Sequence, residues 1–128
     1  MDPVFSERVS PLSFAGPKRY RPVPITIERI PKVDAVVVSH NHYDHLDYAS
    51  ITKLNEKFGE KGINWFVGAG TAQWFQSIGI EKNVHELSWW QSKKFKDLEF
   101  VFTPAQHWCT RSVNDRNKVS FVVQFSRF

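Results

Sequence analysis

The sequence is poor in cysteine and in long apolar runs. Cys109 is the only cysteine among 128 residues, which excludes a disulfide framework within the chain and favours a reducing compartment. The longest strictly apolar run is Ala35–Val38, far shorter than the roughly 18 residues of a membrane-spanning helix. The first residues lack the basic start and apolar stretch of a signal peptide. We therefore expect an intracellular protein whose contact with any membrane is peripheral.

The chain is weakly basic and rich in aromatic residues. It has 17 Lys and Arg against 13 Asp and Glu, a net charge of +4, and 15% aromatic residues. This length is typical of one domain, and the composition is the opposite of that of a disordered chain. The mild positive charge is compatible with an anionic surface, an anionic substrate or nucleic acid, and equally with ordinary solubility.

Proline is unevenly distributed. Six of the seven prolines lie within residues 1–31, and proline breaks helices and gives no ladder hydrogen bond. We therefore predict a proline-rich N-terminal arm or edge strands over residues 1–31, followed by a domain over residues 32–128.

After residue 31 the pattern becomes that of an α/β protein. The β-branched run Val33–Ser39 is typical of a strand buried on both faces, which predicts a central strand. Asp47 is placed to cap a helix that Gly59 ends. Further predicted elements are a strand at Asn64–Val67, a short helix at Thr71–Ile78, a strand at Val84–Leu87, and extended segments at Trp89–Phe95, Leu98–Thr103 and Val119–Phe125. The order predicts an α/β layer beside a β meander.

A histidine cluster follows the first predicted strand directly. His40, His42, Asp44 and His45 lie within six residues, and neutral imidazole and carboxylate are preferred zinc ligands. Where the strand ends and the chain turns, His40 and His42 can project to one side while Asp44 and His45 face a second position. The spacing therefore predicts a site for two metals, whereas His85 has no such context and is predicted to be structural.

The spacing His-x-His-x-Asp-His resembles the signature of the metallo-β-lactamase superfamily. That resemblance implies an α/β, metallo-β-lactamase-like αββα sandwich, here incomplete and limited to its N-terminal half. In the superfamily, the first two histidines and a later one hold one metal, and the Asp-His pair helps to hold the other. His107 is the matching later histidine, because it follows the predicted strand that begins at Leu98.

Longer stretches resemble the phospholipase D family that hydrolyses N-acylphosphatidylethanolamine. The resemblance implies a binuclear zinc hydrolase at membranes, with N-acylethanolamine and phosphatidate as products. It gives Tyr43 a substrate contact and Asp44 a catalytic role in addition to metal binding. The stretches that carry it are Gly16–Tyr20, Ser39–Tyr48, Trp89–Trp90 and Phe100–Cys109.

The sequence departs from that family after His107. The family continues to a Gly-Asp-Thr-Gly segment whose aspartate bridges the two metals and to further histidines, and this sequence has neither. Asp115 lies in a polar stretch and is not a candidate for the bridge. We therefore expect one weakly held zinc or none, doubtful activity of the 128 residues alone, and a chain that is a fragment of the family's fold.

The resemblance also predicts partners. We expect a phospholipid substrate and a peripheral membrane surface, leave a homodimer open, and expect no nucleic acid because the basic residues are scattered. Trp74 and Phe75 are the aromatic pair predicted to face outward, with Lys93, Lys94 and Lys96 favouring anionic lipid. Two alternatives remain open at this point: a superfamily phosphodiesterase that acts on nucleic acid, and a non-catalytic zinc-binding fragment.

Overall fold

The computed structural model describes residues 1–12 and 14–111 and the backbone of Gln124–Ser126. Within those residues the chain forms two three-stranded sheets and two α-helices. The elements in chain order are a 3₁₀ helix at Ile27–Arg29, β1 (Ala35–Val37), α1 (Tyr48–Phe58), β2 (Asn64–Gly68), α2 (Ala72–Ser77), β3 (Val84–Leu87), β4 (Ser92–Phe95), β5 (Leu98–Val101) and β6 (Gln124–Ser126). The longest of these helices has 11 residues, and none of those described has the length and apolar character to cross a bilayer.

The first sheet is parallel and separates two apolar layers. Its order is β1-β2-β3, and successive side chains of a strand point to opposite faces. Trp65 and Val67 therefore pack in one cluster with helical residues such as Ile51. Phe66 faces the other way and stacks on Phe100 of β5, with ring centroids 4.0 Å apart.

The second sheet is antiparallel, in the order β4-β5-β6. Its β5 residue Phe100 and the following Phe102 are buried against the parallel sheet. The predicted α/β class is confirmed. The described part has a helical layer and two sheets, which are three layers of the predicted αββα sandwich.

Helix α1 begins and ends where the sequence predicts. The Asp47 carboxylate accepts a hydrogen bond from Ser50 N at 3.2 Å, which satisfies a free amide of the first turn. Gly59 follows Phe58 as the C-terminal cap residue. The capped helix fixes the direction in which the histidine-containing loop before it must run.

The prediction that the first strand is central is wrong for the described residues. There β2 lies in the middle of the sheet and β1 at its edge. Val36 and Val37 are nonetheless buried, on opposite faces of the sheet. Asp2 covers the outer side of β1, because its N–H donates to Val37 O at 2.8 Å. Burial of both faces therefore does not require a neighbouring strand on both sides.

Two aromatic predictions also need correction. Phe75 is fully buried in the core and Trp74 packs against it, so this pair does not face outward. The segment Trp89–Phe95 is extended only at Ser92–Phe95. Trp90 lies in a turn with a φ of 68°, which the hydrogen bond from Gln91 N to Ser88 O closes at 3.0 Å. Most of the predicted strand Val119–Phe125 lies outside the described residues.

The N-terminal residues pack along the domain. Arg8 and Lys18 form an isolated antiparallel bridge, and Phe5 N donates to Ser50 Oγ at 2.7 Å. Ile27 is buried in the core beside α1. The boundary at residue 31 stays a prediction, although the arm clearly contributes to the same core.

Candidate metal centre

The histidine-containing loop connects β1 to α1 and turns tightly. The amides of His45 and Leu46 both donate to His42 O, at 3.0 and 2.7 Å. The Leu46 side chain is fully buried in the core and anchors the end of the loop. This turn begins at His42 and contains Asp44 and His45.

Three histidines from two distant parts of the chain meet at this loop. His40 Nε2 lies 2.9 Å from His42 Nδ1 and 3.0 Å from His107 Nε2. One ring nitrogen of each residue lies within 4.8 Å of the others. His107 comes from the loop after β5, where the meander packs against the parallel sheet. We refer to these three residues as the histidine cluster.

The histidine cluster lies in a gradient of burial. His40 is buried with 4% of its surface exposed, His42 is half-buried and His107 is exposed. Burial, followed by the nearby imidazoles of His45, His42 and His107, lowers the pKa of His40 to about 4. Burial and His107 likewise lower the pKa of His42. Both rings are therefore neutral near pH 7 and have lone pairs available for a metal.

The residues present fit a zinc ion. His40 Nε2, His42 Nδ1 and His107 Nε2 face one another, with His40 Nε2 within hydrogen-bond distance of both of the others. Neutral imidazoles have only one donor each, so a hydrogen-bonded arrangement among three of them satisfies the nitrogens incompletely. A cation bound by three neutral imidazoles, with a fourth position open, is a known form of zinc coordination.

Asp44 and His45 lie beside the histidine cluster and outside it. His45 Nε2 is 3.7 Å from Asp44 Oδ2, and the Asp44 side chain is 63% exposed. The His45 ring centroid is 4.1 Å from that of His40. The structure thus places the two residues of the predicted second position next to each other, and their role as ligands stays a prediction.

Asp2 is a site residue that the sequence analysis missed. Its carboxylate accepts hydrogen bonds from Ser39 N at 2.7 Å and from Ser39 Oγ at 2.8 Å. It also lies 2.9 Å from His45 Nδ1. Carboxylates in such contacts fix the orientation and tautomer of a histidine ring. No local signal could have found Asp2, because 43 residues separate it from His45.

Tyr43 lies between two cavities next to the histidine cluster. One cavity has a volume of about 610 Å³ and includes His42, Asp44 and the apolar residues Val9 and Trp108 in its lining. The other, of about 580 Å³, lies toward α1 and α2 and includes Tyr43. The Tyr43 hydroxyl donates to Arg111 O at 3.0 Å. The predicted substrate-contacting residue is therefore on a cavity wall that reaches the candidate metal centre.

The remaining candidates lie elsewhere. His85 Nε2 is 2.8 Å from Asn64 Oδ1, and its ring packs near Phe66, as a structural histidine would. Cys109 is fully buried. Asp115, which the sequence analysis set aside, is outside the described residues.

Comparison with known proteins identifies the family. The family model described as "Beta-lactamase superfamily domain" matches residues 1–128. The chain belongs to the beta-lactamase superfamily. The predicted resemblance to the phospholipase D that hydrolyses N-acylphosphatidylethanolamine is confirmed as well.

Three relatives show the extent of the similarity. N-acyl-phosphatidylethanolamine-hydrolyzing phospholipase D 1 of Caenorhabditis elegans is 43% identical over 91% of this chain and 34% of its own length. The mitochondrial enzyme of the same name from Saccharomyces cerevisiae is 39% identical over 91% of this chain and 25% of its own. An uncharacterized protein of Mycobacterium tuberculosis is 39% identical over 86% of this chain and 29% of its own. The chain thus spans about a third or less of these relatives, and those with an assigned activity are hydrolases by name.

Proposed function

We propose that this domain forms part of a zinc-dependent phosphodiester hydrolase of the phospholipase D type. Its substrate would be N-acylphosphatidylethanolamine, and its products N-acylethanolamine and phosphatidate. The observation that carries the proposal is the histidine cluster, three convergent imidazoles beside a cavity of about 610 Å³ with apolar walls. The names of the relatives with an assigned activity point to the same reaction.

The histidine cluster would hold one zinc through its three ring nitrogens. When bound, zinc supplies Lewis acidity that stabilises negative charge developing on phosphoryl oxygens. The depressed pKa values of His40 and His42 keep their rings neutral and ready to bind at neutral pH. The exposed side of His107 leaves the site open toward solvent and substrate.

Asp44 and His45 would contribute to a second metal position. Two protein ligands are fewer than the three or four that usually hold zinc firmly. Asp2 would keep the His45 ring oriented through its contact with Nδ1. Residues 1–128 alone are therefore proposed to bind zinc at one position and to hydrolyse lipid poorly. A site with one metal would not stabilise both the attacking and the leaving oxygen, as a two-metal site would.

Tyr43 and the apolar cavity would bind the substrate. Val9, Pro11 and Trp108 line the same cavity as His42 and Asp44. A phospholipid with an acyl chain in this cavity would have its headgroup phosphate near the histidine cluster. Apolar walls with a few convergent polar groups are typical of ligand sites.

A membrane surface is the proposed partner. Trp89 and Trp90 are 47% and 72% exposed and precede the exposed Lys93 and Lys94. Exposed tryptophan suits the bilayer interface, and each nearby lysine adds about 1 kcal/mol of attraction to anionic lipid. Flotation with vesicles that contain phosphatidylserine should recover the chain, and Trp90→Ser should reduce recovery. Equal recovery of both proteins would argue against this surface.

A chimera tests the proposed reaction. Residues 1–128 would replace the matching segment of the Caenorhabditis elegans relative, which supplies the remaining length. The chimera should release N-acylethanolamine from N-acylphosphatidylethanolamine in micelles with zinc, His42→Ala should abolish release, and His85→Ala should retain it. A folded, zinc-loaded chimera that cleaves only a soluble diester such as bis(p-nitrophenyl) phosphate would contradict the proposed substrate.

A further inference from the structure

Arg111 joins the two loops that carry the histidine cluster. Its Nη1 donates to Asn41 O at 3.1 Å and to Leu46 O at 2.7 Å. These two carbonyls lie near opposite ends of the histidine-containing loop, on either side of His42. One guanidinium nitrogen therefore bridges the loop across its turn.

Aromatic rings hold the same guanidinium in place. Its central carbon lies 4.2 Å from the ring centroid of Tyr43 and 4.8 Å from that of Trp74. Such distances are within the range of cation–π attraction, and arginine also stacks on rings through its planar group. The Tyr43 hydroxyl returns a hydrogen bond to Arg111 O at 3.0 Å, so backbone and side chain of Arg111 are both tied to the histidine-containing loop.

Arg111 is close in sequence to His107, so its contacts connect the segment of His107 to the histidine-containing loop. It follows His107 by four residues, and between them Cys109 is fully buried. His107 must meet His40, from which 67 residues separate it. Arg111 supplies contacts between the segment that carries His107 and the loop that carries His40 and His42.

We infer that Arg111 is a positioning residue for the candidate metal centre. It holds the His107 segment against the histidine-containing loop, so that three nitrogens from two loops meet before a metal binds. This inference rests on the proposed zinc site. Groups that orient metal ligands typically change metal affinity by about 10–100-fold when they are removed.

The chemistry of arginine fits this role better than that of lysine. A lysine ammonium could donate to one or both carbonyls, but it has no planar group to stack on the rings of Tyr43 and Trp74. Arg111→Lys should therefore restore part of what Arg111→Ala removes. If Arg111 only filled space, the zinc affinity of Arg111→Lys would not be expected to lie between those of the wild type and Arg111→Ala.

The test measures zinc affinity of the 128-residue chain by competition with a chelating dye. Arg111→Ala should bind zinc about 10–100-fold more weakly than the wild type, Arg111→Lys should fall between them, and the control Arg21→Ala, at an exposed arginine, should match the wild type. Cobalt in place of zinc gives a second readout, because visible absorption reports the coordination geometry. Arg111→Ala should show weaker and broader bands at saturating cobalt.

The outcomes separate this inference from the proposed function. A wild-type chain that binds no zinc overturns the proposed function. A wild-type chain that binds zinc while Arg111→Ala shows the same affinity and the same cobalt spectrum overturns the inference alone. Thermal unfolding of the metal-free variants identifies a folding defect. If Arg111→Ala is unfolded, Tyr43→Phe, which removes only the bond to Arg111 O, should still weaken zinc binding a few-fold, and unchanged binding would overturn the inference.

Discussion

One short motif supplies two members of the histidine cluster, His40 and His42, and also the Asp44–His45 pair, and its residues differ widely in burial. The cluster begins at a buried ring, with His40 only 4% exposed. In the pair, by contrast, the Asp44 side chain is 63% exposed. Asp44 lies within the turn closed by the amides of His45 and Leu46 on His42 O, whereas His40 precedes that turn. Neighbours in sequence are thereby divided between a desolvated position and an open one.

The two groups also differ in the number of candidate ligands that the described residues bring together. His107 reaches the histidine cluster from 67 residues away and gives it a third nitrogen. His45 has a distant contact too, because Asp2 lies 2.9 Å from its Nδ1, but Asp2 contacts the ring and brings no third candidate ligand. The proposed first position therefore has three candidate protein ligands, while the proposed second has two, Asp44 and His45, with Asp2 beside them.

The largest expected effect follows from removing a member of the histidine cluster. His42→Ala should weaken zinc binding by more than about 100-fold, exceeding the ~10–100-fold cost of outer groups, because one of three ligands is lost. His85→Ala is the matched control, since His85 binds Asn64 and lies outside the cluster. Competition with a chelating dye measures both. Equal weakening in the two variants would mean that zinc binds elsewhere.

A smaller effect is expected from the support of the second position. Asp2→Ala leaves Ser39 N without its carboxylate acceptor, and a buried unpaired group costs about 1–3 kcal/mol of unfolding free energy. Glu7→Ala is the control, because the Glu7 side chain makes an exposed ion pair with Lys18, and its loss should change stability by less than about 0.5 kcal/mol. Urea unfolding of the metal-free chain measures both. A loss no larger in Asp2→Ala than in Glu7→Ala would contradict the role given to Asp2.

The pH dependence of stability should reflect the histidine cluster. Since the folded pKa of His40 is about 4, below the ordinary value of 6.5, the unfolded chain binds more protons between those values. The metal-free chain should therefore be most stable above pH 6.5 and lose stability as the pH falls toward 4. His40→Gln should flatten this loss in thermal unfolding measured with a chelator present. An unchanged slope would show that the ring is not desolvated.

The smallest effect is expected at the exposed end of the motif. Asp44→Asn should change the affinity for the first zinc by no more than about fivefold, because an exposed charge contributes about 0–1 kcal/mol. Dye competition measures it beside His42→Ala. A loss as large as that of His42→Ala would place Asp44 in the first position and remove the contrast between the two groups.

The sequence predicts the elements that depend on local patterns. Helix α1 follows from Asp47, its apolar spacing and Gly59, and β3 from the run Val84–Leu87. The motif around His40 is local as well, which is why its spacing indicates metal chemistry.

What the sequence does not predict depends on contacts between distant residues. The edge position of β1 is set by strand order and by Asp2. Phe75 is buried because α2 packs on the sheet, which no single-helix pattern reveals. Arg111 donates to backbone carbonyls that lie 65 and 70 residues away. Every residue has a backbone carbonyl, so the sequence does not indicate which ones an arginine contacts.

The number of zinc ions that the 128-residue chain binds distinguishes the two proposed metal positions most directly. Equilibrium dialysis against buffered zinc, followed by metal analysis, should show saturation at one zinc per chain, and His42→Ala should remove it. Two zinc ions of similar affinity would contradict the claim that the second position is incomplete. One zinc that survives His42→Ala would contradict the claim that the histidine cluster holds it.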